Sequence, residues 1–241
     1  METSGKYGSV AILRKTDDGI VCETESLATD AGSAKNLAPA IDRLLARLAI
    51  DVRELSAIAL LTGPGSFTGL RVGVATAKAM AYALKIPTID IDTLDAIAMQ
   101  IDSSNREIHV VLDAYRGQIF YSKYTQSVKN SATAVLDIED WLAEILGGEL
   151  GAASLQVCGP GCDRIRRYLA DSENLDWQER VSDIGRIQWI DGPDAFPNAE
   201  SVAKLGYAKF SAGVTLDPFH LLPHYYRGSA AEEVAAKSKR G

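Results

Sequence analysis

The sequence predicts an α/β protein in which mixed sheets are flanked by helices. Two strand pairs with the look of hairpins, one near each end of the first half, are each followed by alternating strand and helix patterns. The helical segments between them carry apolar residues at spacings of three and four, the signature of one buried face.

From Gly8 to Leu27 the runs SVAILRK and GIVCETESL flank Thr16-Asp17-Asp18-Gly19, a turn that makes a hairpin the simplest reading. Leu37, Ile41, Leu44, Leu45 and Leu48 then form one apolar stripe, predicting a helix over about 33–48. A buried strand follows at Ala57 to Thr62, then a glycine-rich turn and a long helix from about Gly69 to Lys85. A short strand after Pro87 leads into a helix that begins near Asp92 and ends by Ile101. The polar stretch Asp102 to Glu107 is the candidate boundary. Beyond it, IHVVLDA and QIFYSKY form a second hairpin across Tyr115-Arg116-Gly117. A helix over about 138–146, a strand LQVC, a Gly-Pro-Gly turn and a helix from Asp163 to Leu169 repeat the alternation. Asn198 caps a last helix that runs to about Phe210.

The chain has 241 residues, of which 46% are hydrophobic. A chain of this length buries roughly three quarters of the surface it exposes when unfolded, so it needs no covalent staple. Cys22, Cys158 and Cys162 are an odd, sparse set that fits a reducing compartment. No apolar run approaches the ~20 residues of a membrane span and the first residues lack the core of a signal peptide, so a cytoplasmic location is expected. With 25 basic against 32 acidic residues the net charge is −7, a field that repels a phosphate backbone. Nucleic acid, if involved, would be held by a partner. The basic cluster Lys237, Lys239 and Arg240 reads as a solvated tail.

The segment Thr62 to Gly73, TGPGSFTGLRVG, joins a strand to a helix, where backbone amides can face an anion. It lacks the Gly-Lys-Ser/Thr of a P-loop, it has Thr68 where a dinucleotide fingerprint needs glycine, and Ser66 is not the centre of a nucleophile elbow. Its glycines could equally serve close packing alone. The longer run TGPGSFTGLRVGVATAKAMA resembles the signature of the TsaB (YeaZ) family. Thr3-Ser4 followed by GSVAI, LAPAIDRLL, VLDAYRGQIFYSKY, CGPG and LLPHYYRG resemble other parts of that family, so the likeness spans almost the whole chain.

The resemblance implies a two-lobed actin-like, Hsp70-like and sugar-kinase-like fold, with residues 1–103 as the first lobe and 104–241 as the smaller second lobe. It implies a scaffold and activator with no catalytic residue of its own. Such a subunit pairs with the transferase TsaD and the ATPase subunit TsaE, forms a homodimer in isolation, and meets tRNA only through the complex. The first two helices then supply the partner interface, through Leu37, Ile41, Leu45, Arg71, Val74, Lys78 and Ala81. The glycine turn, Gly63, Pro64, Gly65, Ser66, Phe67, Thr68 and Gly69, becomes a candidate nucleotide contact. No cofactor of its own is expected, apart from ATP or ADP held at a shared interface. The alternative is an ATP-using phosphotransferase or ATPase of the actin-like fold, with this turn and Gly159 to Gly161 around the phosphates.

Two departures from the family pattern stand out. Relatives carry an apolar central strand just before the Thr-Ser turn, where this chain has only Met1 and Glu2. Its loss leaves neighbouring ladder groups unpaired at ~1–3 kcal/mol for each buried group. A native chain that starts further upstream is therefore expected, and intact mass of the native protein tests it. Ser33 stands where many relatives have histidine, so no role is carried over to it. The three histidines, His109, His220 and His224, form no metal-ligand pattern, Pro223 breaking any helix between the last two, and Cys158 and Cys162 have the spacing of a turn rather than a zinc knuckle. Asp113 reads as a turn-forming aspartate.

Overall fold

The computed structural model describes residues 1–5, 7–28, 32–101, 106–126, 128–147, 155–171, 176–177 and 187–226. The basic tail lies outside the described residues, as does most of the expected boundary segment, and of the Ser33 side chain nothing is described.

In the first lobe, β1 (Ser9–Thr16) and β2 (Gly19–Ser26) pair antiparallel, while β3 (Ile58–Gly63) and β4 (Thr88–Asp92) pair parallel. The parallel pair is linked by α2 (Phe67–Leu84), with α1 (Gly32–Leu48) preceding it. Alternation along β3 directs its side chains to two cores. Ile58 and Leu60 pack under Val74, Ala77 and Ala81 of α2, whereas Ala59 and Leu61 face the opposite layer. Val10, Leu27, Leu37, Ala40 and Leu44 join β1 to α1 in the same way.

Met1 and Glu2 link the two strand pairs. The Met1 amino group donates to Ala59 O at 2.7 Å, and Leu61 N donates to Met1 O at 3.2 Å. Glu2 and Ser9 exchange both backbone bonds at 2.9 Å. Because Ser9 turns its backbone groups toward Glu2, Ala11 and Leu13 turn theirs to the same edge. That edge faces a cleft of about 400 Å³ lined by Met1, Ala11, Leu13, Ala57, Ala59 and Phe210. An open slot thus lies between β1 and β3.

The second lobe is built on one six-stranded mixed sheet. Its path runs β10 (Ile187–Ile190), β9 (Leu155–Cys158), β5 (Glu107–Asp113), β6 (Gln118–Thr125) and β7 (Val128–Lys129), with β8 (Ala134–Asp137) also on β6. Trp141, Leu142 and Ile145 of α4 (Ile138–Gly147) and Ile165 of α5 (Cys162–Ala170) cover one face. Leu94 and Ile97 of α3 (Thr93–Ala98) cover Ile108, Val110 and Leu112 on the other. The short strands β7, β8 and β10 carry too few residues to show a period, and sequence reasoning did not find them.

Packing crosses the boundary expected at 103/104 in both directions. Leu94 and Ile97 of α3 serve the second lobe's sheet. In return α6 (Ala199–Ser211) sets Val202 and Leu205 against Leu61, Ile89 and Ile91 of the first lobe. The segment 214–226 also returns: Leu216 and Thr88 bond each other across a bridge, and Leu221 is buried beneath α2. Residues from both sides of 103/104 therefore share cores. The apolar faces of β3 and β4 need a second covering layer, and the end of the chain supplies it.

Candidate partner-binding face and glycine turn

The glycine turn is held by chain packing. Ser66 caps α2, accepting from Gly69 N at 3.3 Å, and its own N–H donates to Ser4 O at 3.0 Å. A Cβ on Gly69 would fall 1.9 Å from Thr3 O, and one on Gly63, whose φ is +136°, would fall 2.6 Å from His224 O. Two carbonyl oxygens therefore approach the turn where a Cβ would sit, which requires glycine at positions 63 and 69. Gly159 and Gly161 repeat the pattern against the backbone of Val111 and Leu112. The glycines of both turns are explained by close backbone approach. Pro64 is buried, whereas Ser66, Phe67 and Thr68 are exposed.

Beside this turn lies Glu2, fully buried. Its Oε1 accepts from Ser4 N, from Ser4 Oγ at 2.9 Å and from Gly5 N at 2.8 Å, while Oε2 has no partner among the described residues. Burial raises its pKa against the pull of those hydrogen bonds.

Of the residues expected at the partner interface, Leu37, Leu45, Val74 and Ala81 are buried in the lobe's own core. This corrects their assignment: the apolar stripes of α1 and α2 are consumed by β1 and β3 beneath them. Ile41 and Lys78 are half-buried and Arg71 is exposed. The outward stripe of α2 is instead Thr68, Arg71, Ala75, Ala79, Tyr82 and Ala83. Arg71 donates from Nε to Tyr225 Oη at 3.0 Å and stacks 3.8 Å from the Phe67 ring centroid. Lys78 Nζ donates to Phe219 O at 3.2 Å, and the Tyr82 and Phe219 rings meet edge-on at 5.4 Å.

Where the lobes meet, Asp92 at the end of β4 gathers three donors. Lys129 Nζ lies 3.0 Å, Thr133 Oγ1 2.7 Å and Tyr226 Oη 2.9 Å from its Oδ2. Lys129 also pairs with Asp95 at 2.8 Å, and Tyr124 Oη donates to Asp95 at 2.6 Å. Burial, helped by these carboxylates, pushes both tyrosine hydroxyls well above their usual range. Every donor here has an acceptor, as in a structural tie. Among the described residues no three His, Cys, Asp or Glu side chains gather in a way that could hold a metal ion. His109 is buried in β5 with Nε2 2.7 Å from Glu107 Oε1, and His220 and His224 are exposed.

A family model described as TsaD, tRNA N6-adenosine threonylcarbamoyltransferase, matches residues 17–166. The chain belongs to the TsaD family. It is 27% identical to a Bacillus subtilis protein named tRNA threonylcarbamoyladenosine biosynthesis protein TsaB, over 100% of this chain and 98% of that one. An uncharacterised Mycobacterium tuberculosis protein is 33% identical over 136 residues, 56% of this chain and 62% of its own, so the chain spans about three fifths of the length of the mycobacterial relatives it matches. A Pseudomonas aeruginosa structure described as similar to the peptidase YEAZ superposes with a TM-score of 0.69 at 22% identity, covering 94% and 97% of the two chains. That likeness carries the fold, the two-lobed actin-like architecture of the TsaD family.

For this TsaD-family chain, sequence reasoning found the turn and both helices and missed the contribution of 214–226. The available signal was compositional: PFHLLPHYY is dense in aromatic and apolar residues yet has no period that would assign it to a helix or strand. No helix among the described residues is long and apolar enough to cross a membrane.

Proposed function

We propose that this chain is an accessory, non-catalytic subunit in the synthesis of threonylcarbamoyladenosine in tRNA. The observation that carries the reading is the end-to-end likeness to a protein named TsaB, together with membership of the transferase family. On this reading the outward faces of α1 and α2 pair with a TsaD subunit, TsaE joins the pair, and the complex transfers a threonylcarbamoyl group to the adenosine beside the anticodon. An acidic chain suits a subunit that leaves RNA contacts to its partners.

Close packing accounts for the glycine turns without invoking an ATP site, which supports this reading over an ATP-using enzyme. Nucleotide would then bind only where a partner completes a site. Reconstitution tests the proposal: multiple-turnover transfer by TsaD and TsaE should require this chain, and full turnover without it would overturn the reading. Calorimetry of the isolated chain with Mg-ATP should give no heat of binding; tight binding with turnover would favour the phosphotransferase.

A further inference from the structure

Leu221 is buried beneath α2, and the residues that follow it, 222–226, are exposed or half-buried. Hydrogen bonds hold this stretch at three consecutive residues. His224 N donates to Thr62 O at 2.7 Å, and a Cβ on Gly63 would fall 2.6 Å from the His224 carbonyl oxygen. Tyr225 reaches α2: its hydroxyl accepts from Arg71 Nε at 3.0 Å, and its ring centroid lies 5.1 Å from that of Phe67. Tyr226 reaches the lobe junction: its hydroxyl donates to Asp92 Oδ2 at 2.9 Å, and its ring meets Phe120 of β6 edge-on at 6.2 Å.

The two tyrosine arms thus end on different parts of the molecule. The Asp92 carboxylate is a shared node. Its Oδ1 accepts from Leu94 N at 2.7 Å and caps α3, while its Oδ2 takes Tyr226 together with Lys129 and Thr133 of the second lobe. Adjacent Cα atoms are about 3.8 Å apart, so a backbone displacement that withdraws one tyrosine hydroxyl also moves the other. A stretch with exposed side chains and few buried contacts can lift without unfolding the rest. The arm on Asp92 is the stronger, because that carboxylate is only 14% exposed whereas the bond to Arg71 is open to water.

We propose that residues 224–226 are a two-armed link that couples the Arg71 side chain on α2 to the closure of the two lobes at Asp92. Docked, the link gives the Asp92 Oδ2 three donors and holds the lobes together. Lifted at either tyrosine, it leaves that oxygen with Lys129 and Thr133 alone. Its outer end is accessible, since Arg71 and Tyr225 are exposed. An acidic group that takes the guanidinium therefore releases Tyr225 and loosens the lobe junction without touching it. Conversely, a change that parts the lobes frees Arg71, because coupling between two sites is reciprocal. Lys78, also on α2, is held by Phe219 O, ahead of the buried Leu221 and so outside the link.

Hydrogen exchange of the full chain, followed by NMR, tests the link from both ends. Tyr226→Phe keeps the ring and deletes the hydroxyl, and the Arg71 Nε–H should then exchange about tenfold faster. Arg71→Ala should speed exchange of the Leu94 amide by about threefold, the smaller effect because the exposed arm is the weaker. The double variant should exchange at Leu94 no faster than Tyr226→Phe alone, since both changes cut the same link. Tyr225→Phe removes the acceptor for Arg71 and should reproduce Arg71→Ala; read at Leu94, it stands in for either variant that does not fold. Wild-type exchange at Leu94 in Arg71→Ala and Tyr225→Phe would overturn the link. Rates that multiply in the double variant would do the same, as would equal loosening by Lys78→Ala, which would mark a general loosening of 214–226.

Discussion

The two lobes solve the same packing problem to different degrees. In the second lobe six strands form one sheet, and both faces of its centre are sealed, by α4 and α5 on one side and α3 on the other. In the first lobe the backbones of two two-stranded pieces are linked, among the described residues, through Met1 and Glu2, with a cleft between the inner edges of β1 and β3. Global stability should therefore rest on the second lobe. The first lobe, with its open backbone edges, should open more easily.

The largest effect is expected in the closed lobe. Trp141 is fully buried against Tyr121 and His109, and Trp141→Ala should cost about 3–5 kcal/mol, read from urea unfolding. A cost below ~1 kcal/mol would show that this core is looser than it looks. Next, an engineered extension of four or five apolar residues ahead of Met1 should fill the slot. At ~1 kcal/mol for each ladder bond formed, the gain should be about 2–4 kcal/mol, with hydrogen-exchange protection appearing at Ala11, Leu13 and Ala59. An extension that stays exchange-labile would mean that the slot is not shaped for a strand.

The tie between the lobes should matter less. Tyr226→Phe removes one donor to the Asp92 carboxylate and should cost about 1.5 kcal/mol, seen as faster exchange around Thr62 and His224 rather than in the second-lobe sheet. Equal loosening of both lobes would break the comparison. The smallest effect is one of pH. Burial depresses the pKa of His109 below its ordinary 6.5, and its hydrogen bond to Glu107 lowers that carboxyl below 4.5. Both groups thus bind protons more readily in the unfolded chain. Their contribution is present above 6.5, declines as pH falls through that value and declines further below 4.5. His109→Gln should flatten the upper part of the profile in thermal melts from pH 8 to 5.

Legibility followed periodicity. The α1 stripe, the β3 and β5 runs and the cap Asn198 are local signals, and each lies where the pattern of residues placed it. The strands β7, β8 and β10, of two to four residues, have no room for a period and exist because β6 and β9 offer edges to pair with. At the candidate site, Leu37, Leu45, Val74 and Ala81, named through the resemblance, are buried in the chain's own core. An apolar stripe does not reveal whether its own sheet or another protein covers it.

By itself, then, the sequence determined the element types, the strand-to-helix glycine turn and the family likeness, because each depends on residues close together in the chain. Only the tertiary structure decided that α6 and 214–226 return to the first lobe, that Thr3 and His224 approach the turn beside Gly69 and Gly63, and that Phe219 and Tyr225 stand beside α2. These contacts join residues more than a hundred positions apart, or depend on which backbone approaches a glycine. Periodicity carries no information on either, whereas burial of the apolar faces of β3 and β4 requires a partner from somewhere in the chain.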